Sequence, residues 1–115
     1  MDKEEQIDRR KALKWLEGDE KMFARIKDIF VKNVPSQVAQ LKNFLDAGDI
    51  DSTERAAHTI MGSSAMLGAS VMSDEARKIE RSAIDGDMNS ARLHFTDFAG
   101  EFEKVMAELA VDRGK

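Results

Sequence analysis

Apolar residues recur along most of this chain at intervals of three and four, the spacing of one face of a helix. The pattern is clearest over residues 88–110, where Ala91, Phe95, Phe98, Phe102, Val105 and Leu109 form a single stripe. Earlier, Met22, Phe23, Ile26, Ile29 and Phe30 open another helix behind Asp19, a good N-cap residue. Val34, Val38, Leu41 and Leu45 carry that stripe on to "DAGD", with a helix stop at Gly48. Between them stands Pro35, which lacks a backbone donor and either kinks this helix or opens the next one. A third helix is predicted from Asp51 or Ser52 to Leu67, ending at Gly68, and a fourth over about 70–85, ending at "DGD". Ahead of all four, "EEQIDRRKALKWLEGDE" predicts a short helix carrying Ile7, Leu13, Trp15 and Leu16 and closed by Gly18.

Composition supports this reading. Six Phe, one Trp, no Tyr and one Pro accompany many strong helix formers, so strand signals are weak. The expected fold is all-α: an antiparallel four-helix bundle with an additional short N-terminal helix, one domain over 1–115 with its core at about 5–110. No repeat or linker interrupts it.

With 42% hydrophobic and 35% charged residues, the chain is globular in composition. It has neither an apolar run long enough to span a membrane nor a signal-peptide pattern at "MDKEEQIDRRK". A net charge of −4 offers no basic field for nucleic acid. The absence of cysteine excludes disulfides and thiolate chemistry, and sits with a reducing cytoplasm.

One stretch asks for more than packing. In "AAHTIMGSSAMLGA", residues 56–69, a histidine is followed one turn later by glycine, which weakens a helix interior by about 1 kcal/mol relative to alanine. On a helical wheel, Ala56, Ile60 and Leu67 lie opposite His58, flanked by Ala57, Ser63 and Ser64. Asp51, Glu54, Arg55, Met61, Gly62 and Ala65 lie around His58, so the imidazole points outward. Position 62 is placed to cover that ring, because helical side chains lean over the preceding turn. Glycine removes the cover, and Ala65 keeps the next turn low. The competing account is that Gly62 only permits close packing.

Three chemistries compete for an uncovered histidine. A bundle metal site needs Glu-x-x-His, but Arg55 and Ala91 stand three residues before the two histidines, so no metal is expected. General-base hydrolysis lacks a nucleophile, since Ser63 and Ser64 fall on the other side of the wheel. A neutral imidazole can attack phosphorus in line while its other nitrogen keeps a proton, and this needs access rather than a pocket.

"AHTIMGSSAMLGA" resembles the signature of histidine-containing phosphotransfer (HPt) domains, His-x-Leu-Lys-Gly-Ser-Ser-x-x-Leu-Gly-Ala. His58, Ile60, Gly62, Ser63, Ser64, Leu67, Gly68 and Ala69 match in order and spacing. "FVKNVPSQVAQL" and "DAGD" before it, and "ARKIE" and "DGD" after it, extend the likeness weakly over most of the chain. The resemblance implies a four-helix bundle with an extra short helix, and phosphoryl relay through a phosphohistidine at His58. The implied partners are response-regulator receiver domains and hybrid histidine kinases. Magnesium would belong to the receiver, so no cofactor is expected here. The chain would be a carrier and not an enzyme, since each partner brings its own catalytic machinery.

Where the family usually has lysine, three residues after the histidine, this chain has Met61, which cannot stabilise negative charge. Arg55, one turn before His58, is the candidate replacement. Glu80 has two readings: an orienter of the imidazole, or an ordinary boundary carboxylate in the charged "EARKIERS" face; the second is favoured. His94 reads as a boundary residue, Ser63 and Ser64 mainly as small packing residues. Met61, Met66 and Met72 suit core filling, yet Met61 falls on the exposed side with His58, which with Gly62 and Ala65 suggests a docking surface. Met61 also keeps a rival function in play, an HPt-like docking module that binds a receiver or kinase without accepting phosphate. A monomer is expected, because one bundle uses up one stripe per helix. The Met start and ragged charged ends suggest a free-standing protein.

Overall fold

A computed structural model describes residues 6–113, with side chains to residue 111. Among these residues there are five helices and no strand: α1 Arg9–Trp15, α2 Glu20–Ala47, α3 Ile50–Leu67, α4 Ser70–Ile84 and α5 Met88–Arg113. None is long and apolar enough to cross a membrane.

Aspartates start four of them. The carboxylates of Asp8, Asp19, Asp49 and Asp87 accept from the backbone N–H groups of Lys11, Met22, Ser52 and Ser90 at 3.0–3.1 Å. Each takes up a donor that a helix start leaves unpaired. At Asp49 and Asp87 these N–H bonds, followed by the Ser52 and Ser90 hydroxyls, hold the carboxyl below its ordinary value.

Several boundaries differ from those expected. The first helix is shorter, because Asp8 caps it and residues 9–15 alone are helical; the part of the expectation on residues 1–5 lies outside the described residues. Pro35 does not open a new helix: α2 runs unbroken for 28 residues with Pro35 inside it. The missing donor leaves the Val31 carbonyl without its helical partner, a local cost outweighed by the buried stripe on both sides of the proline. That stripe is Phe23, Phe30, Val34, Val38, Leu41 and Leu45. α3 starts slightly earlier than expected, at Ile50, and α5 runs on to Arg113.

α3 packs against α2 and α4, α4 against α5, and α5 against α2, with α1 lying on α3 and α2. The core between them includes Ala57, Ile60 and Leu67 of α3, Met72, Ala76 and Ile79 of α4, and Ala91, Phe98, Val105 and Leu109 of α5. Both helices bury small residues, Ala57 and Ser64 on α3 and Ser73, Ala76 and Ala83 on α4, a composition that permits close packing. Ser73 Oγ of α4 donates to the Met61 carbonyl of α3 at 3.0 Å, pinning the register.

The α3–α4 turn is also where α1 is tied down. The Asp8 N–H donates to the Gly68 carbonyl at 2.8 Å, and Lys11 Nζ to Ser70 Oγ at 3.1 Å. Gly68 closes α3 at φ +86°, and a Cβ there would collide with the Asp8 carbonyl. Both the left-handed backbone and the close approach require glycine.

Candidate functional site

The buried face of α3 decides where His58 points. Thr53, Ala57, Ile60, Ser64 and Leu67 are buried, which turns the opposite face to solvent. The His58 side chain is 64% exposed, while that of Glu80 is only 16% exposed. Neighbouring Ile79, Ala76 and Ala83 are sealed in the core and set Glu80 at the edge of α4 facing α3. Glu80 Oε2 lies 2.9 Å from His58 Nδ1. An ionised carboxylate can only accept, so Nδ1 carries the proton and donates it. In the neutral ring the lone pair is then at Nε2.

Glu80 is thus hydrogen-bonded to the imidazole. Gly62 is resolved too: a Cβ at that position would meet nothing within 4 Å, so the glycine does not serve close packing. It leaves open space on the helix face beside His58.

A shallow depression lined by Glu54, Arg55, Thr59 and Glu80 surrounds His58. Arg55 is thus in the same site, exposed, its charge acting also on Asp49. Glu54 was missed as a site residue. It stands one turn before His58, where the imidazole leans, and that spacing was the available signal. Ala65 is exposed on the next turn, as expected.

Met61 and Met66 exchange their expected places. Met61 is half-buried and packs against the core, because it borders the α4 side of α3 where Ser73 grips its carbonyl. Met66 is 53% exposed at the end of α3, while Met72 is a core filler. Ser64 is buried and donates to the Ile60 carbonyl at 2.8 Å, while Ser63 faces α2, away from His58. His94 is half-buried on α5 and outside the site. Among the described residues, no three His, Asp or Glu side chains gather at metal-binding range.

The sequence model of the Hpt domain matches residues 25–111. The chain belongs to the Hpt domain family. Among solved structures, this Hpt chain is similar to histidine-containing phosphotransfer protein B (HptB) from Pseudomonas aeruginosa PAO1. The two share 25% sequence identity with a TM-score of 0.85, over 95% of each chain. No curated protein sequence matches this one. The Hpt match covers the whole of α3 and α4, and with them His58, Gly62 and Glu80.

Proposed function

We propose that this chain is a phosphoryl carrier of a two-component phosphorelay. His58 accepts a phosphoryl group from a receiver-domain aspartate or a hybrid histidine kinase and passes it to the next receiver. The observation that carries this reading is the His58–Glu80 pair on an open helix face, with the imidazole largely exposed. Membership of the Hpt family and the likeness to HptB support it. On the same reading the five helices form an antiparallel four-helix bundle, α2 to α5, with α1 as the added short helix.

In the transfer, the Nε2 lone pair attacks phosphorus in line as the P–O bond to the aspartyl carboxylate breaks. The electron pair of that bond leaves with the carboxylate. Positive charge grows on the ring, and Glu80 offsets it through the Nδ1–H bond without having to move. Arg55 is the chain's own candidate for holding the phosphoryl oxygens. Transition states of this kind are governed by positioning and charge, so a partner can supply the rest, including magnesium at its own aspartate. The chain acts as a carrier with no cofactor of its own, monomeric and cytoplasmic.

Met61 in place of a cation favours the rival reading, a docking module that binds a receiver without accepting phosphate. The test is incubation with a panel of phosphorylated receiver domains, with His58→Gln beside the wild type. Acid-labile, base-stable label on the wild type alone supports the carrier. Binding without label by any receiver supports the docking module.

A further inference from the structure

The two flanks of α3 beside His58 differ in chemistry. Glu54 and Met61, two helical turns apart, share the flank toward α4, where the Met61 carbonyl accepts from Ser73. The other flank carries Arg55, Thr59 and Met66 at helical spacing. That flank faces α2, since Met66 and Ser63 line a groove there with Ile29 and Gln37 of α2. Arg55 and Thr59 stand one turn apart, both exposed, and both line the depression around His58, which Met61 does not. Among the described residues Arg55 makes no ion pair and the Thr59 hydroxyl no hydrogen bond, so their donors are open to a ligand. The imidazole completes the arrangement. Its two nitrogens lie on different edges of the ring, so with Nδ1 held 2.9 Å from Glu80 Oε2 the Nε2 lone pair points away from Glu80. The donors of the depression that remain for a group on Nε2 are one guanidinium, Arg55, and one hydroxyl, Thr59.

We propose that Thr59 is a phosphoryl-binding residue of this chain, its hydroxyl and the Arg55 guanidinium forming one anion-holding pair on the α2 flank of His58. The inference rests on the carrier reading above. As the bond from Nε2 to phosphorus forms, the aspartyl oxygen leaves with its electron pair and charge is spread over the three remaining phosphoryl oxygens. The guanidinium presents a fork of N–H donors to these oxygens and the hydroxyl one more, and neither gives up its proton. Both stand on the same helix as His58, so their backbone positions are fixed before a partner arrives. The donors thus lie on the flank of α3 opposite Met61.

The test phosphorylates the purified wild type, Thr59→Val, Thr59→Ser and Arg55→Gln with phosphoramidate and follows each by ³¹P NMR. Valine keeps the β-branched shape of threonine and loses the hydroxyl, and position 59 is exposed, so urea titration should find the fold equally stable. Loss of one hydrogen bond to a charged group at an exposed site predicts uptake slowed about three- to tenfold in Thr59→Val. Serine at position 59 restores most of the rate. The phosphoryl resonance of Thr59→Val and of Arg55→Gln titrates at higher pH than that of the wild type, because each lost donor favoured the dianion. Uptake and titration in Thr59→Val equal to those of the wild type, or an equal loss with valine and serine, overturn the inference while leaving the carrier intact. A wild type that takes up no phosphoryl group from phosphoramidate or from a phosphorylated receiver overturns the carrier reading itself.

Discussion

Replacing Glu80 by alanine removes the carboxylate that holds the Nδ1 proton of His58 and leaves the ring free to choose its tautomer. The bond is 2.9 Å long and charge-assisted, with one partner largely sheltered and the other 64% exposed. Hydrogen bonds to charged groups contribute about 1.5–3 kcal/mol when shielded. Exposure of the ring brings the expectation to the lower end, about 1–1.5 kcal/mol, or roughly five- to fifteenfold in transfer rate. Glu80→Gln keeps an acceptor without the charge, and its transfer slows by only about two- to threefold. Rapid-quench phosphotransfer from a labelled receiver gives the rates, and ¹⁵N NMR of the imidazole gives the tautomer. The alanine variant is expected to lose the dominance of the Nδ1–H form together with the rate. Unchanged rate and unchanged tautomer in Glu80→Ala would refute the positioning role and return Glu80 to an ordinary boundary carboxylate.

Other perturbations separate the parts of the account. Gly62→Ala adds a methyl group into open space, so it should stabilise the fold by about 0.5–1 kcal/mol in urea titrations while transfer stays near wild type. Gly62→Gln reaches across the imidazole and should slow transfer in spite of a comparable gain in stability. Gly68→Ala combines a left-handed backbone with a collision against the Asp8 carbonyl; a loss of about 2–4 kcal/mol and a loosened α1 by hydrogen exchange are expected. Asp49 and Asp87 have carboxyls depressed below the usual 3.8, so their stabilisation is present above that value and lost as pH falls through the lower folded value. Asp49→Asn keeps the cap but drops that protonation, and acid unfolding monitored by circular dichroism should become less steep below pH ~4.

Helix existence was legible in the chain because the apolar stripes, Asp19 as a cap and the closing glycines agree with one another, while the caps at Asp8, Asp49 and Asp87 emerged only with the structure. Pro35 leaves two readings open, a kink or a new helix, because a missing donor is a local signal, whereas the core stripe on both sides of it is a tertiary one that keeps the helix whole. His58 could be aimed from a wheel alone, since Ile60 and Leu67 fix the opposite face. Glu80 could not be settled this way. Its pairing with His58 depends on the α3–α4 register, which small residues and the Ser73–Met61 bond determine across helices. The same holds for Met61 and Met66: side chains at the border of a stripe take their exposure from the neighbouring helix. Glu54 was visible as a carboxylate one turn from His58, and only the shape of the depression singles it out.

The central claim is chemical: the phosphoryl group sits on Nε2 of His58 while Nδ1 stays protonated against Glu80. Heteronuclear NMR of the ¹⁵N-labelled protein, phosphorylated by a receiver domain, tests it directly. The account predicts a ³¹P–¹⁵N coupling to Nε2 of His58 and a proton on Nδ1. Phosphorus on Nδ1, on His94 or on another residue would contradict it.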